Sequence, residues 1–393
     1  MKVFFVINQQ VFDGSAHALY CYRNCWWLAK SGAGSSVELV VPGHLGLARD
    51  VSAACAEHFA LPPLANLRVT ALPALRKAKH GPGITFNLLF QAMAWRHLLK
   101  NAQPGDVLLT ASFLKLFAFL VKKRSIKSRL KCVYEVHQLE ELDRHRDHPK
   151  SIREHRVLAM ADLLVTTTDS LKGLLKKNHP AIPVSNIGLA CAVPQVEIAL
   201  APNGETFVLG YVGSLYRGQG IDWLIEHWQS IAAKLPRPAH LKIAGGSPAE
   251  IEKLRAPFNG GECSQISFVG QVRQSDLGLF LAGVDALVIP ALNQGRMPHV
   301  AITKAYDYLA YQRPVLATDL PSIVEVMRPD HEALVFSAGD AAALAAQLSR
   351  LMSEPGLGAH LVQSATQRLS ALGWEARNQQ YWQFLKSTPP ERI

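Results

Sequence analysis

No stretch of the chain approaches the roughly 18 unbroken apolar residues that a membrane-spanning helix needs. The longest candidate, 113–121, is interrupted by Lys115 and followed at once by Lys122, Lys123 and Arg124. Cysteine is sparse. Cys21, Cys25, Cys55, Cys132, Cys191 and Cys263 are dispersed through 393 residues, a pattern of reduced thiols in a cytoplasm rather than of a disulfide framework. Cys21 and Cys25 share a helix face, but no second Cys/His pair has zinc spacing, so both read as packing residues. The opening "MKVFFVINQQVFDG" has one lysine, a short apolar run ending at Asn8 and no small-residue cleavage site; it reads as a buried strand, not a signal peptide. No nucleic-acid-binding motif occurs. The first strand-to-helix turn, "NQQVFDGSAHALY", has Gly14 and a candidate N-cap at Ser15 but lacks G-x-G-x-x-G, which argues against a dinucleotide cofactor. No Asp-x-Asp pair stands at a strand end to hold a divalent ion, so metal independence and no cofactor are the expectation.

What is present is the composition of a globular protein. Apolar residues make up 49% of a chain that is long for one core and natural for two domains. The net charge is +10. Much of the basic excess falls in "LRKAKH" (75–80) and "KKRSIKSRLK" (122–131), both in the first half. Either run alone reads as a solvated face. Two runs together, without a nucleic-acid motif, point to an anionic membrane surface. The expected location is cytoplasmic and peripheral at the inner face of the membrane.

Short β-rich runs alternate with helical patterns throughout. The first half predicts strands over 2–7, 37–41, 67–72, 106–110, 132–136, 163–167 and 183–187, with helices over 16–30, 86–100 and 170–177. Such alternation implies parallel sheets with helices on both faces. The charged stretch "QLEELDRHRDHPKS" reads as a surface loop entering a helix near Ile152. The Pro- and Gly-containing segment 191–206 marks a domain boundary. A second series then predicts strands over 207–212, 241–244, 266–269, 286–289, 314–317 and 333–336. The fold class that follows is α/β, with two tandem Rossmann-like doubly wound parallel-sheet domains and a cleft between them, where ligands of such folds bind. The expected division is 1–198, 199–373 and a C-terminal helix, 374–393, packing back toward the first domain through Trp374, Tyr381, Trp382 and Leu385.

Two segments of the second half carry anion-binding features. In "VLGYVGSLYRGQGIDWLIE" a strand ends at Val212, and Gly213, Gly218 and Gly220 bracket Arg217 before a helix. Glycines permit close backbone approach, and an arginine fork suits phosphate. In "PALNQGRMPHVAITKAYDYLA" a loop with Arg296 and His299 leads into a helix starting near Ala301, with Lys304 in its first turns and Asp307 three residues on. A cation at a helix N-terminus is disfavoured by the helix dipole, so Lys304 suggests an anion nearby; the plain alternative is a lysine bending into solvent.

Three blocks, "GYVGSLYRGQGIDWLIE", "ISFVGQVRQSDLGLFLAGVDALVIPA" and "TKAYDYLAYQRPVLATDLPSI", resemble successive blocks of the retaining, nucleotide-sugar-dependent glycosyltransferases of GT-B fold, family 4. "VYEVHQL" and "ADLLVTTTDSLKGLL" extend the resemblance into the first half. It implies that Arg217 and Lys304 hold the donor diphosphate, assisted by amides at Ala301, Ile302 and Thr303. Asp307 would take the ribose hydroxyls, and the base would lie against Val269, Gly270 and Val272. His137 would stand near the transferred sugar, Gly14 would form the first domain's glycine turn, and Gly213 would end the first strand of the second. Where the family often has an acidic residue, this chain has His299; Ser214 and Gln219 replace a frequent arginine and lysine, and Arg217, Arg296 and His299 would compensate. The expected activity is transfer of a sugar, from a UDP-sugar or from GDP-mannose, to a saccharide or lipid-linked acceptor in cell-surface polysaccharide or lipopolysaccharide synthesis. The alternatives are a non-catalytic nucleotide-sugar-binding scaffold of the same fold and a nucleotide-sugar isomerase.

Overall fold

The computed structural model describes residues 1–12, 16–43, 48–74, 84–111, 130–191, 204–216, 218–256, 265–273 and 276–387. The chain divides into two compact units, 1–188 with 374–393, and 189–373.

The strands of unit 1 are β1 (Lys2–Val6), β2 (Ser36–Pro42), β3 (Arg49–Asp50), β4 (Leu67–Leu72), β5 (Asp106–Thr110), β6 (Leu130–Val136), β7 (Leu163–Thr166) and β8 (Val184–Asn186). Its helices before the chain leaves are α1 (Ala16–Ser31), α2 (Ser52–His58), α3 (Ile84–Asn101), α4 (Glu140–Asp143), α5 (Pro149–Leu158) and α6 (Asp169–Asn178). The sheet order is β3-β4-β2-β1-β5-β6-β7-β8, parallel except for β3 against β4. Successive residues of β1 feed opposite faces: Val3 and Phe5 join one buried cluster, Phe4 and Val6 the other. Both faces are covered, so these strands appear in sequence as continuous apolar runs.

The expected loop 138–151 is a correction. It holds α4, and α5 starts at Pro149, ahead of Ile152. His148 Nδ1 accepts the Lys150 N–H (3.2 Å) as N-cap, and Pro149 fits the first helical position because its missing donor has no helical partner there. Strand β3, two residues long, had no counterpart among the expected strands.

Unit 2 contains β9 (Phe207–Val212), α7 (Ile221–Ala232), β10 (Ala239–Ala244), α8 (Pro248–Arg255), β11 (Ile266–Gly270), α9 (Leu277–Ala282), β12 (Ala286–Ile289), α10 (Thr303–Leu309), β13 (Val315–Thr318), α11 (Pro321–Val324), β14 (Leu334–Phe336), α12 (Ala341–Ser353) and α13 (Leu357–Leu372). Its order, β11-β10-β9-β12-β13-β14, is parallel throughout. Helix α7 buries Ile221, Leu224, Ile225, Trp228 and Ile231, the spacing of one helical face. The chain runs outward from β9 to β11, then returns to β12 on the other side of β9. The crevice beyond the ends of β9 and β12 is therefore the switch point, where open α/β sheets take ligands.

The last helix, α14 (Trp374–Lys386), belongs to unit 1. Trp382 Nε1 donates to the Leu28 carbonyl of α1 (3.0 Å). A Cβ on Gly32 would lie 2.4 Å from the Trp382 ring, so only glycine lets α14 approach this closely. Lys131 Nζ donates to the Leu385 and Ser387 carbonyls (2.9 and 2.6 Å), capping the end of the helix. Of the two basic runs, only Leu130 and Lys131 lie among the described residues, and Lys131 is committed to this cap.

Candidate functional site

The switch point of unit 2 is built by the two loops that leave β9 and β12. Leu292 N–H donates to the Gly218 carbonyl (3.2 Å), joining them. At Gly220, which precedes α7 with φ +73°, a Cβ would sit 1.7 Å from the Pro290 carbonyl oxygen. That contact and that backbone angle both require glycine. The β12 loop is held from below by Ser322, whose hydroxyl donates to the Met297 carbonyl (3.1 Å).

Helix α10 begins at Thr303, with Ile302 as N-cap and Ala301 just before it. It is pinned beneath the end of β9 by Tyr308, whose hydroxyl receives the Val212 N–H (2.8 Å) and donates to the Val212 carbonyl (2.9 Å). This seat directs Lys304 into the first turn after β9. Gly213 is where it passes: a Cβ there would lie 2.3 Å from Lys304 Cε. The Lys304 ammonium donates to Gln219 Oε1 (2.5 Å) and lies 5.1 Å from the centre of the Tyr211 ring. Gln219 is itself oriented, its Nε2 donating to the Tyr216 hydroxyl (2.5 Å).

Lys304 is 7% exposed. Burial lowers its pKa to about 8, a fall that Asp307 on the same helix partly offsets. A buried ammonium facing a neutral amide carbonyl and an aromatic ring is short of negative charge. An anion with several acceptor oxygens would supply it.

Among the other expected donor contacts, Gly270 ends β11 and its carbonyl accepts the Gly245 N–H (2.6 Å). Val269 is 47% exposed at that strand end, and Val272 is half-buried just beyond. Arg296 and His299 are half-buried in the β12 loop, where the His299 N–H donates to the Arg296 carbonyl (2.9 Å). Arg217 and Gly14 lie outside the described residues.

In unit 1, His137 follows the last residue of β6. Its Nε2 is 3.1 Å from Glu135 Oε1, and its ring packs edge-on against Tyr20 (5.1 Å) and His17 (6.0 Å). Glu135 is fully buried. Burial pushes its carboxyl up, but His137, Arg377 and Tyr20 outweigh that and hold it at about 2. Glu135 did not stand out in the sequence, and Gln219 was marked only as the replacement of a frequent lysine. The available signals were a glutamate inside an otherwise apolar strand, two residues before a histidine, and a polar residue between two glycines.

With this geometry in hand, residues 206–354 match the model of the family described as glycosyl transferases group 1. This stretch is a glycosyl transferases group 1 domain. The family domain runs from β9 to the end of α12 and so includes Gly213, Gln219 and Lys304. No curated protein matches the chain in sequence. Among solved structures, the chain is similar to a sucrose-phosphate synthase from Thermosynechococcus elongatus at 18% identity and TM-score 0.71, over 97% of each chain. It is similar to trehalose-6-phosphate from E. coli bound with UDP-2-fluoro glucose at 12% identity and TM-score 0.73, over 99% of this chain and 100% of that one. It is also similar to WaaG, a glycosyltransferase involved in lipopolysaccharide biosynthesis, at 15% identity and TM-score 0.63, over 98% of this chain and 100% of that one. At these identities the likeness is one of fold: α/β, with two mainly parallel sheets, as in GT-B proteins. Among the described residues no helix is long and apolar enough to cross a membrane.

Proposed function

We propose that the chain is a retaining glycosyltransferase that takes a nucleotide-diphosphate sugar, preferably a UDP-sugar and otherwise GDP-mannose, as donor. The observation that carries the reading is Lys304: a buried cation at a parallel-sheet switch point that meets the neutral Gln219 carbonyl and a tyrosine ring and is offset only in part by Asp307, inside the family domain. The donor diphosphate takes the place of the Gln219 carbonyl on the ammonium. Arg217, Arg296 and His299 complete the anion's surroundings, together with the backbone at Ala301, Ile302 and Thr303. Asp307 receives the ribose hydroxyls, and the base lies on the exposed Val269 beside Gly270 and Val272.

The bond between the anomeric carbon and the departing phosphate oxygen breaks, and a bond to an acceptor hydroxyl oxygen forms. The hydroxyl proton goes to the departing diphosphate, so no protein nucleophile is required. Cations fixed in place before the reaction stabilise the developing negative charge without a metal. His137 orients the acceptor hydroxyl.

The acceptor is a saccharide or a lipid-linked saccharide of cell-surface polysaccharide or lipopolysaccharide. The similarity to WaaG and the chain's net charge of +10 support this. We propose peripheral attachment to anionic lipid; equal sedimentation with neutral and anionic liposomes at low salt would contradict it, since each basic side chain near such a surface contributes about 1 kcal/mol.

The donor reading is tested by thermal stabilisation with UDP, GDP, ADP and TDP, followed by release of nucleotide from the matching sugar donors with and without acceptor. Stabilisation without turnover would favour a nucleotide-sugar-binding scaffold, which His299 at the family's usual acidic position makes a specific second reading. Conversion of the donor without acceptor to another nucleotide sugar would point to an isomerase.

A further inference from the structure

Glu135 is surrounded by more hydrogen-bond donors than a structural carboxylate in a strand requires. Its Oε1 receives the Tyr20 hydroxyl, lies 3.3 Å from Arg377 Nη2 and lies 3.1 Å from His137 Nε2. Its Oε2 receives the Tyr381 hydroxyl (2.7 Å) and Asn24 Nδ2 (3.4 Å). Arg377 is fixed in turn. It donates from Nη1 to Asn24 Oδ1 (2.8 Å), from Nη2 to the Tyr20 hydroxyl (2.5 Å) and from Nε to the Gly188 carbonyl (3.0 Å). Its guanidinium also lies over the rings of Tyr20, Trp374 and Tyr381, at 5.2 to 5.7 Å from their centres. Two of these partners, Arg377 and Tyr381, come from α14.

His137 differs from the other four partners. Tyr20, Asn24, Arg377 and Tyr381 are tied into aligned hydrogen bonds. His137 Nε2 is at ion-pair distance from the carboxylate, is itself buried, and has no aligned acceptor. Its side chain nonetheless keeps 28% of its surface exposed. The attraction that turns Nε2 inward therefore depends on the charge of Glu135 more than on a directed bond. The edge-on contacts with Tyr20 and His17 limit how far the ring can rotate.

We propose that Glu135 is a positioning residue for His137: the carboxylate, fixed by Arg377 and Tyr381 of α14, holds Nε2–H inward and leaves Nδ1 as the ring nitrogen that meets a substrate hydroxyl. A neutral ring held in this way is an acceptor at Nδ1, and the tautomer is set by the partner of the other nitrogen. The C-terminal helix thus acts on the residue at the end of β6 without touching a substrate. The proposal rests on the role given to His137 above, but its structural core is testable apart from it.

The test is long-range proton–nitrogen NMR of histidine-labelled protein, with His137→Ala identifying the His137 signals by their loss. Spectra are recorded where the ring is neutral. The wild-type protein is expected to hold His137 in the Nε2–H form. In Glu135→Gln, which keeps the size of the side chain and removes its charge, the ratio of Nε2–H to Nδ1–H should fall by about tenfold or more, the worth of a charge-assisted contact. If that variant fails to fold, Tyr381→Phe serves. It removes one hydroxyl from Oε2 while keeping the ring, and should shift the ratio in the same direction by a smaller amount. Unchanged His137 signals in folded Glu135→Gln, or in Tyr381→Phe if the glutamine variant does not fold, would overturn the proposal. UDP titration of the same proteins separates this result from the donor reading. Affinity equal to wild type in Glu135→Gln is expected, because Lys304 belongs to unit 2. Absence of UDP binding to the wild-type protein would count against the UDP assignment and leave the His137 result standing.

Discussion

Two buried charges, one in each unit, are treated in opposite ways. Glu135 is met by Tyr20, Asn24, Arg377, Tyr381 and His137, and its carboxyl is held at about 2. Lys304 donates to the neutral Gln219 carbonyl, faces the Tyr211 ring, and its ammonium is lowered to about 8. One site is compensated from within the chain; the other is compensated only in part. A buried charge with a complete set of partners fixes geometry. A buried charge short of partners is costly to keep, and the cost falls when a ligand of opposite sign arrives.

The sharpest way to break this comparison is to remove one side of each arrangement. Arg377→Met leaves the Glu135 carboxylate buried without its cation and should cost about 3–5 kcal/mol of stability, read by chemical denaturation. Lys304→Met removes a poorly compensated charge and should be neutral or stabilising in the same assay. A large loss from Lys304→Met would mean that its surroundings already balance its charge.

A second difference lies in pH. Below a pH of about 8, Lys304 is charged in the folded protein; above it the ammonium loses its proton while an unfolded chain keeps it until near 10.5. The unfolded state therefore binds more protons between those values, and the contribution of Lys304 to stability rises with pH across that window. An anion that needs the charged form should bind more weakly there, by up to about tenfold per pH unit above 8. Titration of UDP from pH 7 to 10 should show this slope in the wild-type protein and lose it in Lys304→Met.

Glu135 behaves in the reverse sense. Its folded pKa is depressed, so its contribution is present above the unfolded value of 4.5 and is lost as pH falls toward about 2. Glu38, bound by Lys2, His97 and Thr70 and also held at about 2, should act in the same window. Acid unfolding of Glu135→Gln should be less steep between pH 4.5 and 2 than that of the wild-type protein.

The smallest expected effect is at His299. Its replacement by alanine should lower turnover of a productive donor by about fivefold, one hydrogen bond's worth, and leave the affinity for UDP nearly unchanged. Equal turnover would reduce His299 to a loop residue.

The sheets were legible in the sequence because their strands are buried on both faces. Residues 106–110 and 207–212 are each found as strands over their full length. The segment 138–151 was misread because its charges suggest solvent, while α5 needs only one sheltered side and the His148 N-cap to start within it. Strand β3, Arg-Asp in sequence, carries no apolar signal. Of the site, Gly213 and Lys304 were both marked by sequence, one as a glycine before a helix and the other as a cation in a first turn. Gln219, which shares the ammonium, was seen only as a replacement. Glu135 was hidden for a different reason. Four of its five partners lie 111 to 246 residues away along the chain, and the face of α14 that carries Arg377 reads from sequence as an aromatic packing stripe.

The central claim is that Lys304 is the anchor for a donor diphosphate. Isothermal titration of UDP, GDP, ADP and TDP into the wild-type protein and Lys304→Met tests it most directly. At least one nucleotide should bind the wild-type protein, and that one should bind Lys304→Met more weakly by about 1.5–3 kcal/mol, the worth of a charge-assisted hydrogen bond. Binding of none of the four, or equal binding to both proteins, would contradict it.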